Sequence, residues 1–206
     1  MRPEVEILQR AFEEQQQRRA RRNRYRRLRN VLLFFLGAAI SGGLCYFTAC
    51  GAYKMGSEAM RPTLEPGDRV LVATFLRGTM PDRGDLVLFR SPVPEETRLS
   101  VKRVVAVPGD TVEVKQGRLW RNGGVAEEPF LREPMAYDWG PVTCEGGHVL
   151  VLGDNRNQGM DSHNWSMPGP KGTPVAAPQL PVQYLEGKAF AIVYPPLRMT
   201  FFRSTH

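Results

Sequence analysis

From Gly56 onward the apolar residues fall into short runs, mostly four to eight residues long, separated by polar turn signals. The runs are RVLVATF (69–75), DLVLF (85–89), SVKRVVAV (100–107), TVEV (111–114), RLWRN (118–122), HVLVL (148–152) and KAFAIVY (188–194). Between them stand EPGD, DRGD, VPGD, QGR, EGG and LGDN. Val-rich runs of this length with Gly–Asp punctuation predict β-strands joined by tight turns, because Gly supplies positive φ and Asp bonds its own backbone. No stretch here keeps a helical period for twelve residues. The expectation is an all-β, sandwich- or barrel-like domain over residues 53–206. After Trp165 the pattern lapses. In residues 168–181, PGPKGTPVAAPQLP, five of the fourteen are Pro and two are Gly. Pro cannot donate to a ladder, so this segment is expected to be a surface insertion outside helix and sheet.

The amino-terminal quarter reads differently. Val31–Ala52, VLLFFLGAAISGGLCYFTACGA, is 22 residues without a charge. That length crosses ~30 Å of hydrocarbon at ~1.5 Å per residue. A buried core helix and a cleavable signal peptide are the rivals, but the run is longer than a usual signal-peptide apolar region. The formal net charge is +7, and the first thirty residues hold ten Arg against four Glu, which is +6 of that total. By the positive-inside rule residues 1–30 form a basic tail on the cytoplasmic or stromal side and residues 31–52 a transmembrane helix. Residues 53–206 then lie across the membrane, in a periplasm or thylakoid lumen. An Arg-rich tail abutting such a run suits anionic lipid, so the lipid bilayer is an expected partner and nucleic acid is not. Cys45 and Cys50 fall in the run and leave Cys144 alone beyond it, without an internal disulfide partner. His148, His163 and His206 form no ligand spacing with carboxylates or Cys, and neither a metal nor another cofactor is expected.

Taken singly, the polar motifs are turns, and a lone Lys in a strand is usually a surface residue. Their order changes that. A basic and then apolar amino terminus is followed by GSEAMRPTLEPGDRVLV, RGDLVLFRSP, VKRVVAVPGDTVEV and LGDNRNQGMDSHNW. This succession resembles the type I signal peptidases, membrane-anchored serine proteases that remove signal peptides from exported proteins. The resemblance runs from about Lys54 to Trp165 and resumes at LPVQYLEGKAFAIVYPP (180–196). The form LGDNRN…DSHNW looks most like the cyanobacterial and thylakoid-processing members.

The resemblance implies an antiparallel β domain behind the membrane helix. It also implies a Ser/Lys dyad, in which a neutral Lys amine takes the base role that His has elsewhere. The family's nucleophile is the Ser before Met in S-M-x-P-T-L, and that position here is Ala59. The general base falls on Lys102, whose apolar context would favour a neutral amine by penalising the charged form. Strand alternation would put Lys102 and Val104 on one face. Ser57 matches a hydroxyl that helps form the oxyanion hole, and Met60 and Pro62 would shape the adjoining wall. The family Ser that orients the Lys is missing too, because its position is Gly159. Asp154, Arg156, Asp161 and His163 would form the supporting polar network.

Ser57 is a poor substitute nucleophile. A two-residue shift displaces a side chain by ~6–7 Å along an extended segment, whereas acyl transfer needs reacting atoms within ~3.5 Å. As written, the chain is expected not to cleave. Two origins for Ala59 stay open. One is an active-site Ser→Ala replacement in a competent peptidase, consistent with the retained Ser57, Met60, Pro62 and Lys102. The other is a natural non-catalytic relative, acting as a binding or scaffold subunit of a membrane complex. Gly159, the proline-rich insertion, and Ser166 where the family prefers Gly point that way. Preprotein signal peptides are the expected partners in either case. A self-cleaving repressor domain also uses Ser and Lys, but it would carry a DNA-binding domain and no membrane span.

Overall fold

The computed structural model describes residues 28–38, 41–43, 50–93, 98–168 and 174–202. The chain divides into two units, Met1–Thr48 and Ala49–His206. In the first, residues 28–38 and 41–43 are α-helical. Their large apolar side chains are exposed, Leu32 by 70% and Phe34 by 72%. Among the described residues no helix is long and apolar enough to cross a membrane. Residues 1–27 of the basic tail, and 39–40 and 44–49 of the expected span, lie outside the described residues. The expected span is also set too long. Its last three residues, Cys50, Gly51 and Ala52, pair with Ala73, Val72 and Leu71 in a strand ladder. An uncharged run gives no mark where it changes from one role to another.

Among the described residues the second unit holds fourteen strands, in chain order β1 (Cys50–Lys54), β2 (Arg69–Ala73), β3 (Leu86–Arg90), β4 (Leu99–Ala106), β5 (Thr111–Lys115), β6 (Arg118–Arg121), β7 (Gly124–Val125), β8 (Trp139–Thr143), β9 (His148–Leu152), β10 (Ser166–Pro168), β11 (Pro174–Ala176), β12 (Leu180–Pro181), β13 (Leu185–Tyr194) and β14 (Thr200–Phe201). The larger sheet has the order β1-β2-β13-β3-β4-β9-β12, with β14 also on β13, and a smaller one the order β7-β6-β5-β8. The pairings are antiparallel. Each of the seven apolar runs read from the sequence overlaps one of these strands. Residues 168–181 correct an expectation, because β10 and β11 pair as a hairpin with Pro168 opposite Pro174. A two-stranded hairpin is all edge, and Pro is tolerated where no neighbouring strand needs its N–H.

The central strand β3 explains why DLVLF is apolar at successive positions rather than alternate ones. Leu86 and Leu88 pack with Met60, Leu64, Val70 and Val101. Val87 and Phe89 pack with Val104, Val151, Trp165 and Leu180. A strand covered on both faces has no polar side to show. The Gly–Asp turns are fixed in a common way. The carboxylates of Asp68, Asp85 and Asp110 accept the backbone N–H three residues earlier, from Glu65, Asp82 and Val107. All three Asp are buried, and each meets a cation from elsewhere: Arg198, Lys188 and Arg83 respectively. Pairing offsets the desolvation of a carboxylate held inside.

Cys144 packs between the smaller sheet and β9, 2% exposed, with its thiol donating to the His148 carbonyl at 3.3 Å. Burial, then the nearby Asp110 and Glu145 charges, push this thiol up to about 11. The thiolate is the reactive form. Iodoacetamide at mildly alkaline pH is therefore expected to label Cys144 only after denaturation. Labelling of Cys144 itself, read by peptide mass, in the folded chain at a free-thiol rate would contradict this packing.

Candidate active site

Lys102 lies in β4 opposite Val87 of β3, 3% exposed. The register gives it the face it shares with Val104, as the alternation predicted. Ala59 lies in the connection between β1 and β2 and is 8% exposed, and Met60 beside it is fully buried. Turn bonds hold this segment: Arg61 N–H donates to the Glu58 carbonyl at 3.0 Å and Leu64 N–H to the Met60 carbonyl at 2.9 Å. Pro62 follows a cis bond from Arg61. Ser57 is exposed at the start of the segment, on the other side of the burial boundary from Ala59.

A third segment, Gly153–Asp161, closes on both. Asn155 donates its backbone N–H to the Ala59 carbonyl at 3.0 Å and its side-chain amide to the Glu58 carbonyl at 3.3 Å. A Cβ on Gly153 would run into the Ala59 carbonyl oxygen, so only glycine allows this approach. A Cβ on Gly159 would lie 3.0 Å from the Ala59 Cβ and 3.1 Å from the Lys102 Nζ. The three positions named from the sequence therefore converge on one point. Gly159 also has φ +109°, a left-handed conformation that side chains disfavour. Gly159→Ser is thus expected to lower stability by about 1–3 kcal/mol and to give no cleavage by itself. Thermal melting checks the first part, and an unchanged Tm would mean that the loop readily takes another conformation.

The other polar residues named from the sequence hold this closing segment in place. Asp154 accepts Arg103 Nε at 2.8 Å and Nη2 at 2.6 Å, and the Thr63 hydroxyl at 2.5 Å. One carboxylate thus joins the Ala59 segment to the residue after Lys102. Arg103 also donates to the Gly84 carbonyl at 2.9 Å and lies 3.9 Å from the centre of the Phe130 ring. Arg156, 1% exposed, donates to the Gly153 carbonyl and makes a two-pronged pair with Glu128. Asp161 accepts the Gly153 N–H at 2.9 Å with one oxygen and meets His163 Nδ1 at 2.5 Å with the other. His163 stacks on Tyr137 with ring centres 4.1 Å apart, which gives it a structural place.

Sequence reasoning counted Thr63 among the retained motif residues without giving it a role, and passed over Asn155 and Glu128. Thr63 and Asn155 lie inside the quoted motifs, where their spacing carried no chemical signal. Glu128 lies in a polar stretch remote from any motif.

Comparison with known proteins gives the family. The family model described as signal peptidase, peptidase S26, matches residues 28–194. The chain is 39% identical over 156 residues to thylakoidal processing peptidase 1, chloroplastic, of Arabidopsis thaliana, covering 70% of this chain and 42% of that protein. It thus spans less than half the length of that relative. To probable signal peptidase I-1 of Synechocystis it is 33% identical over 176 residues, covering 82% of this chain and 83% of the relative. A solved signal peptidase I from Enterococcus faecalis superposes with a TM-score of 0.41 at 25% identity, over 52% of this chain and 95% of that one. The chain belongs to the signal peptidase family, peptidase S26.

Proposed function

We propose that this chain is a membrane-anchored, signal-peptidase-like protein that binds preprotein signal peptides but does not cleave them, because its nucleophile position is Ala59. The observation that carries this reading is the convergence of Ala59 Cβ and Lys102 Nζ on the point a Gly159 side chain would occupy, at 3.0 and 3.1 Å. In a catalytic relative of this design, a hydroxyl at position 59 attacks the scissile carbonyl. A neutral Lys102 takes its proton, and the Ser57 hydroxyl with the N–H of residue 59 receives the oxyanion. Lys102 is 3% exposed, so the base position of such a dyad is shielded from water here. Met60 and Pro62 form the wall beside it, and Asp154, Arg156, Asp161 and His163 hold the Gly153–Asp161 segment against it. A methyl group at position 59 removes the bond-forming atom and leaves the rest.

The anchor rests on the uncharged run from Val31 and on the exposed apolar side chains of residues 31–36. The Arg-rich residues before it orient the tail to the cytoplasmic or stromal side and the β domain to the opposite one. Gly159 favours a natural non-catalytic relative over a single replacement in an active enzyme. Its φ of +109° suits glycine, so the loop is adapted to lacking the family's serine there. In that case the protein is a binding or scaffold subunit at the membrane.

The test is Ala59→Ser in detergent with a preprotein carrying an Ala-x-Ala site. The unaltered chain is expected to bind that preprotein and leave it whole, and the variant to cleave it. Failure of the unaltered chain to bind it would count against the scaffold reading.

A further inference from the structure

The family match ends at residue 194, but the chain then returns to the site. After β13 it makes a 3-10 turn, Pro196–Arg198, and β14 pairs back onto β13 through Ala191↔Phe201 and Ile192↔Thr200. From this turn the Arg198 guanidinium reaches residues 63–68. Its Nε donates to Asp68 Oδ1 at 3.0 Å and Oδ2 at 3.2 Å. Its Nη2 donates to Asp68 Oδ2 at 3.0 Å and to the Thr63 carbonyl at 3.4 Å.

The grip adds a side-chain clamp to a segment whose far end is otherwise held by its own turn and by backbone bonds to Met55. Asp68 is 1% exposed and already accepts the Glu65 N–H at 2.8 Å. Its carbonyl accepts Met55 N–H, and Gly67 N–H returns to the Met55 carbonyl, both at 2.8 Å. One guanidinium therefore ties together the two ends of the 63–68 turn, whose near end begins four residues after Ala59. Thr63 continues the chain of contacts through its hydroxyl to Asp154, and Asp154 to Arg103, the neighbour of Lys102. A planar fork on a carboxylate fixes angle as well as distance, which a point charge does not.

We propose that Arg198 is a positioning residue: it sets where the Ala59 segment sits relative to Lys102, from outside the part of the chain that the family model covers. This rests on the reading of position 59 as the nucleophile position, and the experiment separates the two. In the full-length chain, Arg198→Gln is expected to speed amide hydrogen exchange at Leu64, Gly67 and Asp68 at least ~10-fold while amides of β4 and β9 keep their rates. In the Ala59→Ser background, Arg198→Gln should lower kcat by ~10- to 100-fold with KM within about twofold, since small misplacements are felt in the chemical step. Arg198→Lys should recover part of that loss.

Unchanged exchange at those three amides, or an equal rise across β4 and β9, overturns the proposal. So does an undiminished kcat. If Ala59→Ser cleaves nothing even when Gly159→Ser is added, the reading of the site fails, while the exchange comparison still decides whether Arg198 holds the segment.

Discussion

Replacing Ala59 by Ser is expected to turn a non-cleaving chain into a peptidase, with preprotein cleavage rising at least ~10³-fold over the unaltered protein. Members of a catalytic dyad act as a unit, so restoring the missing one recovers most of what was lost rather than a share of it. The substitution adds one oxygen to a side chain that is 8% exposed. It does so on a segment whose carbonyl is already held by Asn155 at 3.0 Å. The new hydroxyl would face Lys102 across the space bordered by Gly159. Lys102→Met in the Ala59→Ser background should return the rate to the starting level, because the Lys102 amine is the group that borders that point at 3.1 Å. Initial rates on an Ala-x-Ala preprotein measure both steps. No gain with Ala59→Ser would mean that Gly159 alone disables the site.

The second large effect is on stability. Asp154→Ala is expected to cost about 3–5 kcal/mol, the range for removing one partner of a buried ion pair. It would leave Arg103, 7% exposed, with two of its donors unmatched and the Thr63 hydroxyl without its acceptor. For a unit of this size the Tm should fall by on the order of 10 °C. Arg103→Met with Asp154→Leu should fall by much less, because the loss lies in the uncompensated charge rather than in the pair itself. Calorimetry on the single and double variants reads both. Equal losses would mean that packing at this junction, not charge, sets the cost.

Short-range pattern carried much of this architecture. The seven apolar runs each overlap a strand because alternation and turn residues are local properties. The bracketing of Ala59, Lys102 and Gly159 also followed from ordered motifs. Strand β8 was missed because Gly140 and Pro141 interrupt any alternation, and β10 and β11 because Pro argued against sheet. Strand β1 was hidden inside an uncharged run read as membrane span. Arg198 was missed for a different reason. Its partner Asp68 lies 130 positions away, and nothing in LRMTFF marks a basic residue as aimed at a turn. Tertiary pairings of single residues leave no periodic trace.

The most direct measurement is the intact mass of an Ala-x-Ala preprotein after prolonged incubation with the unaltered, detergent-solubilised chain. Lys102 without a hydroxyl at position 59 has nothing to activate for acyl transfer, so the preprotein mass should remain unchanged. Appearance of two fragments joined at the small residue, lost again on Lys102→Met, would contradict the claim that Ala59 leaves this site shaped for cleavage but unable to perform it.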